Sequence, residues 1–227
     1  RRRPYNWGSY HHVHFGLDLN QFRKGQKIRG VDRLDLKWFK DDPAYVRELF
    51  CYDLFRRFGV WTAVHDTYCR LWLDIGGEKI YYGVYNLMEH IDEDYLEERK
   101  EEFGCVSGDV WKCRGANLRF TNSSMGVDDN KSSYAYELKT NKEEGFPAAK
   151  ERLQDFITRL NSLKDQEFYS WIGSVMDIDL FLKTYAVNVA VGMWDDYWNN
   201  TNNYYLYITD ENPYRVWFIP YDYDNTL

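Results

Sequence analysis

Three side chains near the end of the chain, Asp195, Asn203 and Asp222, have the types and spacing to hold a metal ion against a phosphate. Tyr204 to Ile208 and Arg215 to Ile219 read as strands, and Thr209-Asp210-Glu211-Asn212-Pro213 between them is turn chemistry. In the antiparallel hairpin this implies, the start of the first strand lies beside the end of the second, with strands about 5 Å apart. Asn203 immediately precedes the first strand, Asp222 follows the second, and Asp195 ends the helical segment before them. With Asp224 nearby, these oxygens can converge at the open end of the hairpin. Carboxylate and amide oxygens are hard ligands, suited to Mg²⁺ whose remaining positions are filled by phosphate and water. Asp and Asn at strand ends are also ordinary turn formers, so the surrounding sequence has to weigh in.

The elements that would position these residues can be read from the hydrophobic pattern. Asp42-Pro43 before Val46, Leu49, Phe50 and Leu54 predicts a helix with Asp42 as N-cap, Arg56 and Arg57 in its last turn and Gly59 as its stop. Thr67 to Ile75 and Lys79 to Met88 are β-rich, and Gly76-Gly77 between them signals a hairpin. A short acidic helix is expected over Asp92 to Lys100, and a polar surface loop over Asn117 to Asn141. Ala149, Leu153, Phe156, Ile157 and Leu160 fall on one helical face. A second, stronger face carries Ile178, Phe181, Leu182, Tyr185, Ala186, Val189, Ala190 and Met193, with Asp177 as N-cap. The order suggests two lobes: residues 1–88, β-rich with one helix, and residues 89–227, mainly helical and ending in the hairpin.

Composition narrows the function classes. The 227 residues include 9 Trp, 20 Tyr and 13 Phe, or 19 % aromatic side chains, which excludes a disordered chain because so many rings must be packed or used for binding. Lys and Arg number 29 against 36 Asp and Glu, a net charge of −7 that argues against a nucleic-acid-backbone binder. No apolar run approaches the ~20 residues of a membrane span; the longest, Ala186 to Trp194, is interrupted by Asn188. The chain opens Arg1-Arg2-Arg3-Pro4 and stops at Thr226-Leu227, which reads as a segment of a longer protein. Cys51, Cys69, Cys105 and Cys113 lack the CxxC spacing of a zinc site; Cys51 fits a helix core, and Cys105 with Cys113 could close a local disulfide. His11, His12 and His14 could bind a transition metal but lack an evident fourth ligand, so an exposed-and-buried strand alternation around Val13 is the plainer reading. Sequon-like Asn122-Ser123-Ser124 and Asn130-Lys131-Ser132 carry little without a compartment. His65 and His90 each stand alone, so no Ser/His/Asp or Cys/His set is suggested.

The segments around the three candidate ligands resemble a known family. Trp194-Asp195-Asp196-Tyr197-Trp198, Asn202-Asn203-Tyr204-Tyr205-Leu206-Tyr207 and Ile219-Pro220-Tyr221-Asp222-Tyr223-Asp224-Asn225-Thr226 are similar to the signature segments of the CotH kinase family. Upstream, Gly30-Val31-Asp32-Arg33-Leu34-Asp35-Leu36, Asp42-Pro43-Ala44-Tyr45-Val46-Arg47-Glu48 and Tyr82-Gly83-Val84-Tyr85-Asn86-Leu87-Met88-Glu89-His90-Ile91-Asp92 extend the resemblance in register. It implies an α+β, two-lobed, atypical protein-kinase-like fold and Mg²⁺-dependent phosphoryl transfer from ATP to a protein serine or threonine. By position it makes Asp195 the catalytic aspartate, with Asp196 adjacent as the alternative, Asn203 a metal ligand, and Asp222 the metal-binding aspartate after the hairpin.

The first half is expected to supply a cation for the nucleotide phosphates and a carboxylate to orient it. No GxGxxG or P-loop motif is present, Gly25 to Gly30 being a weak echo, and His11-His12-Val13-His14 stands where the family lysine is expected. Lys37 and Lys112 are the substitutes, and Glu48 lies on the helix face that could meet such a cation. Glu89 marks the expected inter-lobe hinge, where backbone groups would take the adenine. The family implies a protein substrate, a coat or surface acceptor, and an extracytoplasmic or coat-associated setting. Two rivals remain: transfer of AMP on the same fold, and a non-catalytic, aromatic-rich glycan-binding or surface-assembly module.

Overall fold

The computed structural model describes residues 12–40, 42–127, 133–142 and 145–227; His11 and the sequon-like Asn130 lie outside them. Gly76 and Gly77 both take positive φ, 65° and 91°, the backbone that a two-residue hairpin turn requires. They join strand β3 (Asp66–Ile75) to β4 (Glu78–Glu89), as the sequence pattern predicts. With β1 (Phe15–Asp18) and β2 (Arg33–Lys37) these form an antiparallel sheet in the order β1-β2-β4-β3. A second sheet, in the order β6-β7-β5-β8-β9, contains β5 (Gly108–Cys113), β6 (Met125–Val127), β7 (Tyr136–Leu138), β8 (Tyr204–Thr209) and β9 (Val216–Pro220). The expected terminal hairpin is β8–β9, with Tyr204 opposite Pro220. Among the described residues the chain is thus α+β, with two sheets and seven helices.

The helix predicted from Asp42 is α1 (Arg47–Arg57), and it starts later than its sequence suggests. Asp42 still does the capping, from five residues upstream. Its carboxylate accepts from the backbone N–H groups of Ala44 (3.1 Å), Val46 (2.6 Å) and Arg47 (2.7 Å), so Pro43 sits in the capping loop and not in the first turn. The other end is as expected: Gly59, φ 81°, and Val60 donate to the carbonyls of Arg56 and Phe55, closing the helix in a Schellman motif. Helix α2 (Glu93–Glu98) is the short acidic helix, capped by Asp92, and α3 (Lys100–Phe103) continues it.

Every residue of β8 and β9 is buried, because the second sheet is covered on both faces. Tyr205, Tyr207, Trp217 and Ile219 point into one core with Tyr52 and Phe55 of α1 and Met88 of β4. Tyr204, Leu206, Val216 and Phe218 point into the other, with Leu153, Phe156 and Ile157 of α4 (Phe146–Ser162) and Ile172 of α5 (Asp165–Val175). Helix α6 (Ile178–Ala190), capped by Asp177, touches both.

Elsewhere the structure departs from the sequence reading or decides what that reading left open. The polar stretch 117–141 is more than a surface loop, since Leu118, Tyr136 and Leu138 are buried and β6 and β7 extend the sheet. Its apolar residues are too few and too spaced to register as strands until β5 supplies the pairing edge. Helix α5 was not anticipated. The face of α6 is also rotated: Leu180, Thr184, Val187 and Asn188 are buried, while Leu182, Tyr185 and Val189 are exposed. The helix is apolar on more than one side, so periodicity alone does not choose its inner face. All four cysteines are free, with Cys51 and Cys113 buried, so Cys105 and Cys113 form no disulfide.

Removing the Asp42 cap should leave three backbone donors at the start of α1 unsatisfied. Asp42→Ala is expected to lower stability by about 1–2 kcal/mol, read as a lower denaturant midpoint at unchanged slope.

Candidate functional site

Lys37 ends β2, Glu48 lies in the first turn of α1, and Asp222 follows β9 by two residues. The fold brings these three together. The Lys37 ammonium donates to Glu48 Oε1 at 2.6 Å and also to Asp222 Oδ1. Burial disfavours the Lys37 charge, but the facing carboxylates of Asp222 and Glu48 outweigh it and hold Lys37 protonated well above its usual range. For Asp222, burial works in the opposite direction to its cations, and Lys37, then Lys112, win; the carboxyl stays below its usual range. Glu48 is the most buried member, and there burial prevails over Lys37 and pushes its carboxyl upward. Asp222 keeps 32 % of its side-chain surface exposed, against 5 % for Glu48, so Asp222 is the member that presents an oxygen to an incoming ligand.

The backbone at Asp222 is positioned by the same helix. Its N–H donates to the hydroxyl of Tyr52 at 3.0 Å, and Tyr223 packs edge-on against Tyr52 and Phe55. Asp222 (φ 66°) and Asn203 (φ 54°) both adopt left-handed backbone, which Asp and Asn tolerate better than other side-chain-bearing residues. Register puts them at the same open end of the β8–β9 hairpin.

Asp195 lies before α7 (Tyr197–Asn200) and is surrounded by amides. Asn203 Nδ2 donates to Asp195 Oδ2 at 2.8 Å and to its carbonyl at 2.9 Å, while Asn200 and Asn202 donate to Oδ1 at 2.5 and 3.2 Å. Those donations occupy the Asn203 NH₂ group and leave its amide oxygen as the acceptor. Asp196, by contrast, is buried and structural. It caps α7 through Asn199 N–H (2.9 Å) and accepts from Asn188 Nδ2 (2.8 Å), and Asn188 Oδ1 in turn accepts from the Tyr223 hydroxyl (2.5 Å).

Lys112, on β5, lies beside this cluster without a carboxylate in ion-pair range among the described residues. Its ammonium is 4.5 Å from the Tyr221 ring centroid and 5.3 Å from that of Tyr205. Burial, with Arg114 and Lys139 adding like charge, lowers it to about 8. Glu89 is committed elsewhere. Arg99 grips its carboxylate with both Nη atoms, at 2.6 and 2.7 Å, and the His65 N–H donates to it at 3.0 Å. The Glu89 N–H is itself taken by the His65 carbonyl. His12 stacks on Trp38 at 5.8 Å between centroids, and His14 accepts from the Trp38 N–H, so these two sit in an aromatic setting at the sheet.

The donor set fits a hard cation. Asn203 and Asp222 would offer it an amide and a carboxylate oxygen, the rest of its shell being left to phosphate and water; among the described residues no group of three or more His, Cys, Asp or Glu is placed to hold a metal ion. Sequence reasoning missed Asn188 and Tyr52, which hold the aspartates in place. The polar break that Asn188 makes in the longest apolar run was its signal; Tyr52 gave none.

The sequence profile described as CotH kinase protein matches residues 8–227. Two curated relatives align with the chain. Inner spore coat protein H of Bacillus subtilis (strain 168) is 27 % identical over 208 residues, covering 90 % of this chain and 52 % of the relative. Spore coat protein homolog 1 of Rhizopus delemar is 24 % identical over 214 residues, covering 90 % of this chain and 32 % of the relative. The chain therefore spans about half of the first and a third of the second.

Replacing Lys37 by Met should leave Glu48 and Asp222 facing each other without a cation. Burial and mutual repulsion then raise both carboxyls above their unfolded values, so the folded state binds more protons and stability falls as pH rises from the unfolded carboxylate range through the raised values. Lys37→Met is expected to lose about 3 kcal/mol near neutral pH and to recover part of it in mild acid, a steeper slope than the parent's, in which Glu48 is raised but Asp222 is lowered, as measured by denaturant unfolding across pH.

Proposed function

Because this chain belongs to the CotH kinase family, we propose that it transfers the γ-phosphoryl group of ATP to a protein serine or threonine hydroxyl. The observation that carries the reading is the ammonium of Lys37 shared by Glu48 and Asp222. Kinases require a lysine on the nucleotide phosphates, a helix carboxylate to orient it and an aspartate for the metal. Here the three types meet across 185 residues of sequence. On this reading Lys37 takes the phosphate-binding role, and the first and second sheets are the two lobes, divided after Met88. Lys112 is a second cation toward the phosphates, and the strut at Glu89 fixes the wall against which adenine lies.

In the reaction the acceptor oxygen bonds to the γ-phosphorus as the bond to the β–γ bridging oxygen breaks, and ADP leaves. Asp195, held by three amides, orients the acceptor hydroxyl and receives its proton. Asn203 and Asp222 would hold Mg²⁺, which supplies neutralisation of the charge that develops on the phosphate oxygens. Lys37 exchanges part of its contact with Asp222 for a phosphate oxygen, while Glu48 keeps it aimed. The names of the relatives favour a coat or surface protein as acceptor and a coat-associated setting. No helix among the described residues is long and apolar enough to cross a membrane.

The test compares Mg·ATP affinity with phosphate incorporation and determines the mass of the adduct. Asp195→Asn should bind Mg·ATP nearly as the parent does and lose ~10²–10⁴-fold in turnover; Asp222→Asn should lose both. Asp196→Ala should reduce stability by about 1–3 kcal/mol through the lost cap and the stranded Asn188. Full turnover by Asp195→Asn would remove it from the chemistry. An AMP adduct would move the reaction to nucleotidyl transfer, and ATP-independent behaviour of the parent would make the chain a binding module.

A further inference from the structure

Strand β3 lies at the end of the first sheet, with β4 as its neighbour on one side, so among the described residues its other edge carries unpaired backbone donors and acceptors. The inner end of that edge is occupied. The Tyr68 hydroxyl donates to the Tyr45 carbonyl, and Asp66 faces Arg56 at 3.5 Å. From Cys69 to Ile75 every residue of β3 is exposed or half-exposed. Its pairing with β4 slips between Leu71 and Trp72, with Leu71 opposite Gly83 and Trp72 opposite Tyr81. The extra residue, Tyr82, belongs to β4, so the bulge is absorbed there and the free edge of β3 stays regular.

Natural edges are usually guarded by short length, proline or inward charge. This one is long and bears apolar side chains on both faces. Trp72 is 56 % exposed and Ile75 62 %, and Trp72 extends an aromatic surface through Tyr81, 5.0 Å away between centroids. Arg70 and Asp74 are also exposed, and Asp74 spends one oxygen on the Gly77 N–H at 3.0 Å.

We propose that this edge pairs antiparallel with β3 of a second copy of the chain, about a two-fold axis through Trp72. A two-fold perpendicular to the sheet keeps each face on its own side, and residues directly opposite then interact as cross-strand pairs. Centred on Trp72, the register sets Arg70 opposite Asp74, Leu71 opposite Leu73 and Cys69 opposite Ile75, each pair occurring twice, with the two Trp72 side chains adjacent. It uses Cys69 to Ile75 and stops short of the covered end. Centred on Arg70, the edge would instead set Arg70 against itself and Asp66 against Asp74. Of the registers that place the two-fold within the free length, the one centred on Trp72 is the one that sets Arg70 opposite Asp74.

The experiment measures the solution mass of the chain over a range of concentration, with circular dichroism to confirm that each variant is folded. The parent should reach twice the chain mass. Arg70→Asp and Asp74→Arg should each be monomeric at concentrations where the parent is dimeric, because each sets like charges opposite one another. The double swap, R70D with D74R, restores opposite charges and should regain the dimer; it also separates loss of pairing from any effect of Asp74 on the Gly77 turn. A parent that stays monomeric, a dimer indifferent to both single swaps, or a folded double swap that stays monomeric would each overturn the proposal.

Discussion

The ammonium of Lys37 is the point on which the site depends. It closes contacts between the end of β2, the start of α1 and the segment after β9, three pieces of chain that no local rule would place together. A lysine this deeply placed costs desolvation, and only the two carboxylates make that cost tolerable. The arrangement is correspondingly sensitive: either carboxylate without Lys37, or Lys37 without them, is an uncompensated charge in a largely dry place. Helix α1 makes the arrangement possible. Glu48, Tyr52 and Phe55 follow one another at i, i+4 and i+7, so one helical face carries the partner of Lys37, the acceptor for the Asp222 N–H and the ring that packs on Tyr223.

Asp195 and Asp196 show how adjacent identical residues are given different tasks. Asp196 is drawn inward to cap α7 and to anchor Asn188, and through Asn188 it reaches Tyr223, one residue beyond Asp222. Asp195 is left at the surface of that scaffold with amides fixing its orientation. The buried aspartate thus links the two ends of the hairpin region, and the half-exposed one keeps part of its surface in solvent.

Much of this was legible in the sequence, for physical reasons that can be named. The β8–β9 hairpin was, because Asn212-Pro213 and the flanking apolar runs leave few alternatives, and with it the position of Asn203 and Asp222 at one end of that hairpin. The β3–β4 turn was legible because two consecutive glycines at positive φ have a specific use. The partner of Glu48 was not settled, because Lys37 and Lys112 are equally plausible as isolated residues; only the pairing of β2 with β4 and the packing of α1 bring Lys37 to Glu48 and leave Lys112 over Tyr221. The inner face of α6 and the strands β6 and β7 were hidden for the same reason. Each is defined by what it packs against, and its own pattern is degenerate.

The grip of Arg99 on Glu89 acquires a mechanical meaning beside that site. Arg99 also donates to the carbonyls of Trp61 and Ala63, so a single guanidinium pins the end of β4, the end of α2 and the loop after α1. A planar fork bound this way resists both stretching and twisting. The first sheet is therefore tied to the rest of the chain at two distant points of different kind: a buried bidentate guanidinium at the end of β4 and a single ammonium shared by two carboxylates at the end of β2.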